Sequence, residues 1–472
     1  MAGCIAGPPH IAGTAGAPPT PASVWVPPAS IPKPSPPAQT DTLVAPELKA
    51  QLSQLTLTDV VSLALRNNPT TQVSWAQARA AAASYGVQRG RLLPSLNLAV
   101  TGSETKTLSS AVRYGGLRKQ LSPSVSLSYL LFDMGGRAGA RRAAEEAAFA
   151  ASFGHNAAVQ NVVLQVESSY SSYMATRGLL DAQRASLKEA RANLEAAQHR
   201  HDVGLATIAD VLQAKTAVSQ AQLTLETTQG ALATVRASLA VAMGLPANAP
   251  YDVSTPPQPS VGRVSVTVDS LIAEAVRERP DLAQAEAAAR GSRATVQATR
   301  AAGLPALSLS ANAGRVYSDV SAFTGGSYGL SLALSVPLFR GFAQQYSVQG
   351  AQAQADAAQA RANGLKQQVV QQVFTSYYAL QTATQRVRTA DDLLASASES
   401  EQVARGRYQE GVGTIIDLLT AQRALADARA QQAQARWTWL GALAQLAHDA
   451  GVLSPQGKTT IPMTPDTVPG SR

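Results

Sequence analysis

The chain states one pattern twice. Residues 200–225 read RHDVGLATIADVLQAKTAVSQAQLTL, and residues 407–432 read RYQEGVGTIIDLLTAQRALADARAQQ. At one constant offset Gly204 aligns with Gly411, Thr207 with Thr414, Asp210 with Asp417 and Ala214 with Ala421. The same offset pairs Phe132 with Phe339, Ser169 with Ser376 and Tyr170 with Tyr377. A slightly larger offset pairs Pro69 with Pro280, Arg89 with Arg300 and Pro94 with Pro305. One architectural unit has been duplicated, with a few residues lost in the second copy, and that repeat limits the fold before any single residue does.

A chain of 472 residues could hold two or three ordinary domains, but the duplication favours two halves of one body. Aromatic residues are 5% and charged residues 15%, which argues against an aromatic-rich enzyme core. Alanine and glutamine run through long stretches and fit long helices packed through small side chains. The net charge of +8 would suit nucleic acid or membrane headgroups, yet Lys and Arg are scattered among acids and Gln. Solvated helix faces account for that pattern, and no nucleic-acid partner is expected. Cys4 is the one cysteine, so no intrachain disulfide can form. No stretch approaches the roughly 20 apolar residues of a membrane helix, so a membrane role would have to use strands. Met1 is followed at once by Ala2-Gly3-Cys4, with no legible signal peptide. That tripeptide either matches the end of a lipoprotein cleavage site, making Cys4 a candidate lipid anchor, or is a chance match.

Residues 1–54 form a Pro-rich arm. A first helix is expected from about Leu57, with Thr58 as its N-cap; Pro69 ends it and a second helix runs to about Leu93. Pro94 changes the period. Leu96, Leu98 and Val100 alternate with Ser95, Asn97, Ala99 and Thr101; Val125, Leu127, Tyr129 and Leu131 alternate with Ser124, Ser126 and Ser128. The second copy repeats this with Leu307 and Leu309, then with Leu330, Leu332, Leu334, Val336 and Leu338. These are strands with one apolar and one small polar face, giving hairpins at about 94–132 and 305–339. After each hairpin the text is helical without proline, from Gly136 to about Asp202 and from about Gly341 to Gln409, or about 100 Å each at 1.5 Å per residue. Each long helix ends at a glycine, and a shorter helix returns. The shorter helix and the one before the hairpin together match the long helix in length, so they should stack end to end beside it. The organisation is an arm (1–54), repeat 1 (55–249), a Pro-rich linker (250–265), repeat 2 (266–453) and a tail (454–472).

Alternating strands make sense if one face meets lipid and the other a polar lumen. Lipid tolerates only closed barrels, and about eight strands already fill with side chains. Four strands in one chain would leave two open edges, so several chains must each supply a sector. The competing reading, a soluble helical protein with two hairpins, would leave four apolar strand faces wet.

The order of helix, hairpin, long helix, glycine turn and shorter helix, given twice, resembles the TolC/OprM family of bacterial outer-membrane efflux channels. The matching segments are Asn67-Asn68-Pro69 and Arg279-Pro280-Asp281, Leu92-Leu93-Pro94 and Gly303-Leu304-Pro305, Leu131-Phe132-Asp133 and Pro337-Leu338-Phe339, and the two tip segments from Arg200 and Arg407. The similarity spans about residues 55–453. It implies a mixed α and β fold: a long α-helical barrel or tunnel, joined to a four-strand sector of a trimeric 12-stranded transmembrane β-barrel. It implies a homotrimer in outer-membrane lipid with its helices in the periplasm, and no cofactor. It also implies a periplasmic adaptor protein and an inner-membrane pump of RND or ABC type. Small-molecule efflux is the first expectation for cargo, type I protein secretion the second; a pore-free coiled-coil scaffold is the reading from another class.

The candidate working residues follow from the same resemblance. Val203, Gly204 and Leu205, with Gly411, Val412, Gly413 and Thr414, are the expected adaptor-contact turns, although a helix C-cap alone explains the glycines. Asp417 and Tyr408, with Asp210 as partner, are the expected constriction, although an acid early in a helix also suits the helix dipole. Gly413 and Thr420 stand where the family's closing network has an arginine and an acid, so that network is thinner here. Pro94, Pro305, Phe132 and Phe339 mark the strand–helix junctions. Tyr114, Tyr129, Phe132, Tyr317, Phe323, Tyr328 and Phe339 are girdle candidates or simple hairpin packing; Trp437 and Trp439 read as packing anchors. Catalytic and metal constellations are absent from the sequence: His199 and His201, two apart on a helix, cannot share a metal on one face.

Overall fold

The computed structural model describes residues 52, 54–106, 117–254, 261–453 and 461–465. The candidate anchor Cys4 and the girdle candidate Tyr114 lie outside them. Each repeat begins with two short helices in line. In the first these are α1 (Leu57–Asn67) and α2 (Pro69–Gly90). Thr56, not Thr58, caps α1: Asp59 lies three residues beyond Thr56, so hydroxyl and carboxylate close a reciprocal capping box that Thr58 has no acid to make. Pro69 opens α2 at its first position, where its missing N–H is harmless.

The hairpin strands are β1 (Ser95–Lys106) and β2 (Leu117–Phe132), and α3 (Gly136–Asp202) and α4 (Ile208–Ala242) complete the repeat. The second repeat gives β3 (Gly262–Val264), α5 (Val268–Glu278), α6 (Pro280–Ala301), β4 (Ala306–Ser318), β5 (Gly325–Ser335), α7 (Ala343–Gln409) and α8 (Ile415–Asp449), followed by β6 (Met463–Pro465). β5 stops at Ser335, short of Val336 and Leu338: Pro337 has no N–H to donate to a ladder. Both long helices have 67 residues, close to 100 Å at about 1.5 Å per residue.

The short helices stack end to end, as their lengths require. Above, α3 and α7 pack against α2 and α6; below, they pack against α4 and α8. The stacking points are tight. A Cβ on Gly244, just past α4, would lie 2.6 Å from the Asn67 carbonyl carbon, and one on Gly451, just past α8, 3.1 Å from the Arg279 nitrogen. Both glycines take positive φ (74° and 76°), so each turns the chain and lets backbone meet backbone. Higher up, α3 and α6 approach through small residues, where a Cβ on Gly139 would fall 2.8 Å from the Ala298 nitrogen.

The main core is a collar at the level of these stacking points. Val60, Val163, Val166, Leu239, Met243, Leu271, Leu380 and Leu446 are fully buried there. Each such side chain contributes roughly 1.5–3 kcal/mol on burial. Trp439 donates its indole N–H to Thr384 at 3.1 Å, and Trp437 stands edge-on to Tyr170 at 6.3 Å, which makes both tryptophans packing anchors. The chain between the repeats joins the collar: Tyr251 and Val253 are buried, and Leu55 donates to the Asp252 carbonyl at 2.9 Å. By contrast, the cluster at the far helix ends holds only Tyr408, Ile415 and Leu418 as buried members. The collar carries most of the apolar packing, and the helix ends are held by a smaller cluster and by polar ties.

Candidate functional site: the strand sector and the helix tips

The strands form one antiparallel sheet in the order β1-β2-β4-β5. Its register sorts the side chains into clean rows. Leu98, Val125, Ala313 and Tyr328 stand side by side, as do Leu96, Leu127, Ala311 and Leu330. The alternate rows are Ser95, Ser128, Ser310 and Ser331, then Asn97, Ser126, Asn312 and Gly329. One face is apolar and the other is hydroxyl and amide. Neither is covered, with Leu98 at 73% and Leu330 at 74% exposed. β1 and β5 leave unpaired edges. Such a sheet is stable where lipid meets the apolar face, water meets the hydroxyls, and further strands pair the edges.

Four of the six described girdle candidates fall at two levels, while Tyr328, in register with Ala313 and Val125, stands between them. Phe132 and Phe339 lie at the strand–helix junctions, where Phe339 meets Phe342 edge-on at 5.5 Å. Tyr317, paired in register with Leu121, and Phe323, under the Arg118 guanidinium at 4.5 Å, lie toward the hairpin ends. Leu121 to Phe132 spans about 37 Å of strand at 3.4 Å per residue, or roughly 28 Å of depth at a ~40° tilt. That matches an apolar membrane band. Tyr129 sits between the levels, beside Leu309. Pro94 and Pro305 stand immediately before β1 and β4. At the exit from β2, Gly135 at φ 89° caps α3, and Asp133 accepts from the Arg137 N–H at 2.6 Å.

The other end is a pair of tight turns with the same construction. Gly204 (φ 79°) and Gly411 (φ 78°) reverse the chain after α3 and α7. Leu205 donates to the Arg200 carbonyl at 2.7 Å, and Val412 to the Arg407 carbonyl at 3.0 Å. Thr207 and Thr414 then cap α4 and α8, each in a capping box with an acid. Asp210 accepts from the Thr207 N–H at 2.8 Å, and Asp417 from the Thr414 hydroxyl at 2.8 Å. The side-chain and backbone bonds from Thr414 hold the Asp417 carboxyl below the usual carboxylate range, helped by the nearby charge of Arg407. Both acids therefore have structural work as caps; Asp417 faces solvent and Asp210 is half-buried. Val203, Leu205 and Val412 project bare apolar side chains, 68%, 70% and 69% exposed. Gly413 packs closely on the end of α7: a Cβ there would meet the Arg407 Cβ at 3.0 Å, tight enough that the neighbour must shift slightly.

Tyr408 is buried beside Ile415 and Leu418. Burial raises its phenol pKa, opposed by Arg200 and assisted by Asp210, so the structure brings Tyr408 into the electrostatic reach of Asp210. The residue that ties Tyr408 to the first hairpin is Arg200, which sequence reasoning took only as part of a motif. Its guanidinium carbon lies 4.8 Å from the Tyr408 ring centre, and its Nη1 donates to the carbonyls of Tyr408 at 2.9 Å and Gln409 at 3.4 Å. Arg200 thus caps α7 from α3, with a cation at a helix C-terminus and bonds to orphan carbonyls. Above it, Arg429 pairs with Glu189 at 2.9 Å, and Asn193 bonds Gln422. Arg405 pairs with the buried Glu401 at 2.6 Å. A groove of about 560 Å³ between the two hairpins is lined by Glu189, Asn193, Arg200, Arg405 and Tyr408.

A strand sector with a lipid face and a wet face, mounted on helices of about 100 Å that end in a small apolar-tipped cap, defines a class: ducts through a membrane assembled from sectors. The comparisons agree. The model of the outer membrane efflux protein family matches residues 60–245 and 271–452, and the chain belongs to that family. Protein CyaE of Bordetella pertussis is 28% identical over 375 residues, 79% of each chain. The toluene efflux pump outer membrane protein TtgC of Pseudomonas putida is 26% identical over 382 residues, 79% of this chain and 78% of that one. The fold matches the Campylobacter jejuni CmeC outer membrane channel with a TM-score of 0.76 at 17% identity, over 93% of this chain and 95% of that one. This chain is an outer-membrane efflux channel.

Proposed function

We propose that three copies join through the free edges of β1 and β5, closing a twelve-strand barrel above a helical tunnel that reaches into the periplasm. The observation that carries this reading is the four-strand sheet with both faces bare and both edges unpaired. Three such sectors exceed the roughly eight strands whose interior fills with side chains, so a water-filled lumen remains. The duct is passive. An adaptor protein docks on the exposed Val203, Leu205 and Val412 of the glycine turns and couples it to an energised inner-membrane pump. Asp417, Asp210 and Tyr408 form the constriction at the closed tip, and it widens when the second hairpin (α7, α8) moves against the first (α3, α4). Small molecules are the proposed cargo, supported by the relative named for toluene efflux. The lumen face of Ser and Asn carries no cargo-specific chemistry in its paired rows, which puts selection in the pump.

Purified full-length protein tested by native mass spectrometry and in planar bilayers decides the duct. A trimer giving discrete current steps is expected; a monomer, or a trimer that never conducts, ends the proposal. In cells, deletion of the gene should sensitise the host to organic solvents and antibiotics. Loss of a secreted protein with unchanged solvent tolerance would replace the cargo class.

A further inference from the structure

We infer that Arg407 makes between copies the contact that Arg200 makes within one, so that two alternating kinds of arginine staple close the tip. This rests on the ring reading above. Near the tips the helices of one chain run in the order α4, α3, α8, α7, with α7 packing chiefly on α8 and its far side open. In a closed ring that side meets α4 of the next copy. α4 and α8 are repeat equivalents, each of 35 residues with the same threonine cap. The step from α3 across α8 to α7 is therefore repeated from α7 across α4 to α3 of the next copy. Under the repeat, Arg200 corresponds to Arg407, Tyr408 to His201 and Gln409 to Asp202.

The local chemistry is ready for that contact. Arg200 spans the gap to the Tyr408 and Gln409 carbonyls and lies over the Tyr408 ring. Arg407 stands at the same place on α7, exposed, and among the described residues its guanidinium makes no hydrogen bond, acting only by charge on Asp417. On the receiving side, the Tyr408 carbonyl already accepts from Gly411 at 3.2 Å and still takes the Arg200 bond. The His201 carbonyl likewise accepts from Gly204 at 2.9 Å and keeps a second lone pair. Arg407 therefore caps the end of α3 in the next copy, with the His201 imidazole in place of the phenol. With glycine at 413, the cation on this face of the tip is Arg407, six residues earlier.

The test uses the full chain with Cys4→Ser, carrying Arg407→Cys and His201→Cys, treated with a short bis-maleimide in detergent and run on a denaturing gel beside native mass spectrometry of the untreated sample. Bands of two and three chains are expected, absent from either single-cysteine variant. The pair Arg200→Cys and Tyr408→Cys should yield nothing larger than one chain. A native trimer in which the 407/201 pair stays at one chain overturns this contact and leaves the ring standing; a native monomer overturns both. In bilayers, Arg407→Ala and Arg200→Ala should each raise the resting conductance several-fold. Resting current raised by Arg200→Ala alone would remove Arg407 as a staple.

Discussion

Asn68 and Arg279 hold the same place in the two repeats and tie the same joint by different chemistry. Asn68 Nδ2 donates to the Ala242 carbonyl at 3.2 Å, and Arg279 Nη1 donates to the Asp449 carbonyl at 3.3 Å. Each residue precedes the proline of the upper helix and caps the end of the helix stacked beneath it. The first joint is neutral. The second is ionic: Arg279, 5% exposed, pairs with Asp281 at 2.6 Å and also donates to Gln372 at 2.7 Å. Burial pushes the Asp281 carboxyl up, but the Arg279 hydrogen bonds and charge outweigh it and leave the carboxyl below its ordinary value.

Arg279→Ala should therefore destabilise far more than Asn68→Ala. Removing the arginine strands a half-buried carboxylate, a loss of about 3–5 kcal/mol. Removing Asn68 loses a cap bond and one joint bond, about 1 kcal/mol. Because the folded pKa of Asp281 is depressed, the stability it lends is present above the unfolded carboxylate pKa and is lost as pH falls through the folded value. Thermal unfolding of the detergent-solubilised protein at neutral pH checks the first comparison. Equal melting points for the two variants would refute it.

Two glycines predict opposite signs. An added methyl at Gly139 would strike α6 backbone at 2.8 Å, which flexible side chains cannot relieve, so Gly139→Ala should cost about 1–3 kcal/mol by parting α3 from α6. Gly86 in α2 has nothing within 4 Å of its virtual Cβ, and Gly86→Ala should stabilise by up to about 1 kcal/mol through helix propensity. Denaturant midpoints of both variants give the answer. Destabilisation by Gly86→Ala would mean that another chain covers that face.

Much of this architecture is legible in the sequence. Absence of proline from Gly136 to Asp202 gave α3 its bounds, and the alternation through Leu96, Leu98 and Val100 gave β1 its two faces. Glycine turns and length matching gave the end-to-end stacks. Periodicity reports which face a residue occupies, however, and not what a long side chain reaches. Arg200 meets Tyr408 across two hundred residues, so nothing local distinguishes it from the other arginines. Position equivalence also hides chemistry: Asn68 and Arg279 align, and only three dimensions show one joint neutral and the other ionic. Composition marks the stretch holding Tyr251 and Val253 as a Pro-rich linker and says nothing of which of its residues fill the collar.

Glu167 on α3 is buried in the collar, and desolvation pushes its pKa up from 4.5 to about 7. Since the folded value is the higher one, the folded state holds its proton more tightly. Stability is then greatest below about pH 4.5 and falls as pH rises through 7, above which both states are ionised. The gap corresponds to roughly 3 kcal/mol. Glu167→Gln, neutral at every pH, should raise the melting temperature at pH 8 and leave it nearly unchanged at pH 4.5. A shift of equal size at both pH values would show that the gain is packing and not the charge.

At the tip, the Tyr408 ring and its hydroxyl should separate cleanly. The hydroxyl is buried with no hydrogen-bond partner among the described residues, whereas the ring packs on Ile415 and Leu418 and carries the Arg200 guanidinium. Deleting an unpaired buried hydroxyl removes a desolvation cost and no contact. Tyr408→Phe should thus keep the resting conductance low, and Tyr408→Ala should raise it by loosening the seat of Arg200. Asp417→Ala should raise it as well, by losing the carboxylate half of the capping box, which accepts from the Thr414 N–H and hydroxyl, along with a charge at the constriction. Thr414→Ala distinguishes those two effects. It breaks the same capping box and keeps the charge. If Thr414→Ala leaks as much as Asp417→Ala, the acid serves the gate by capping its helix; if only Asp417→Ala leaks, its charge in the opening closes the channel. Single-channel recordings of the four variants at one salt concentration decide between them, and no change in any of the four would remove both residues from the gate.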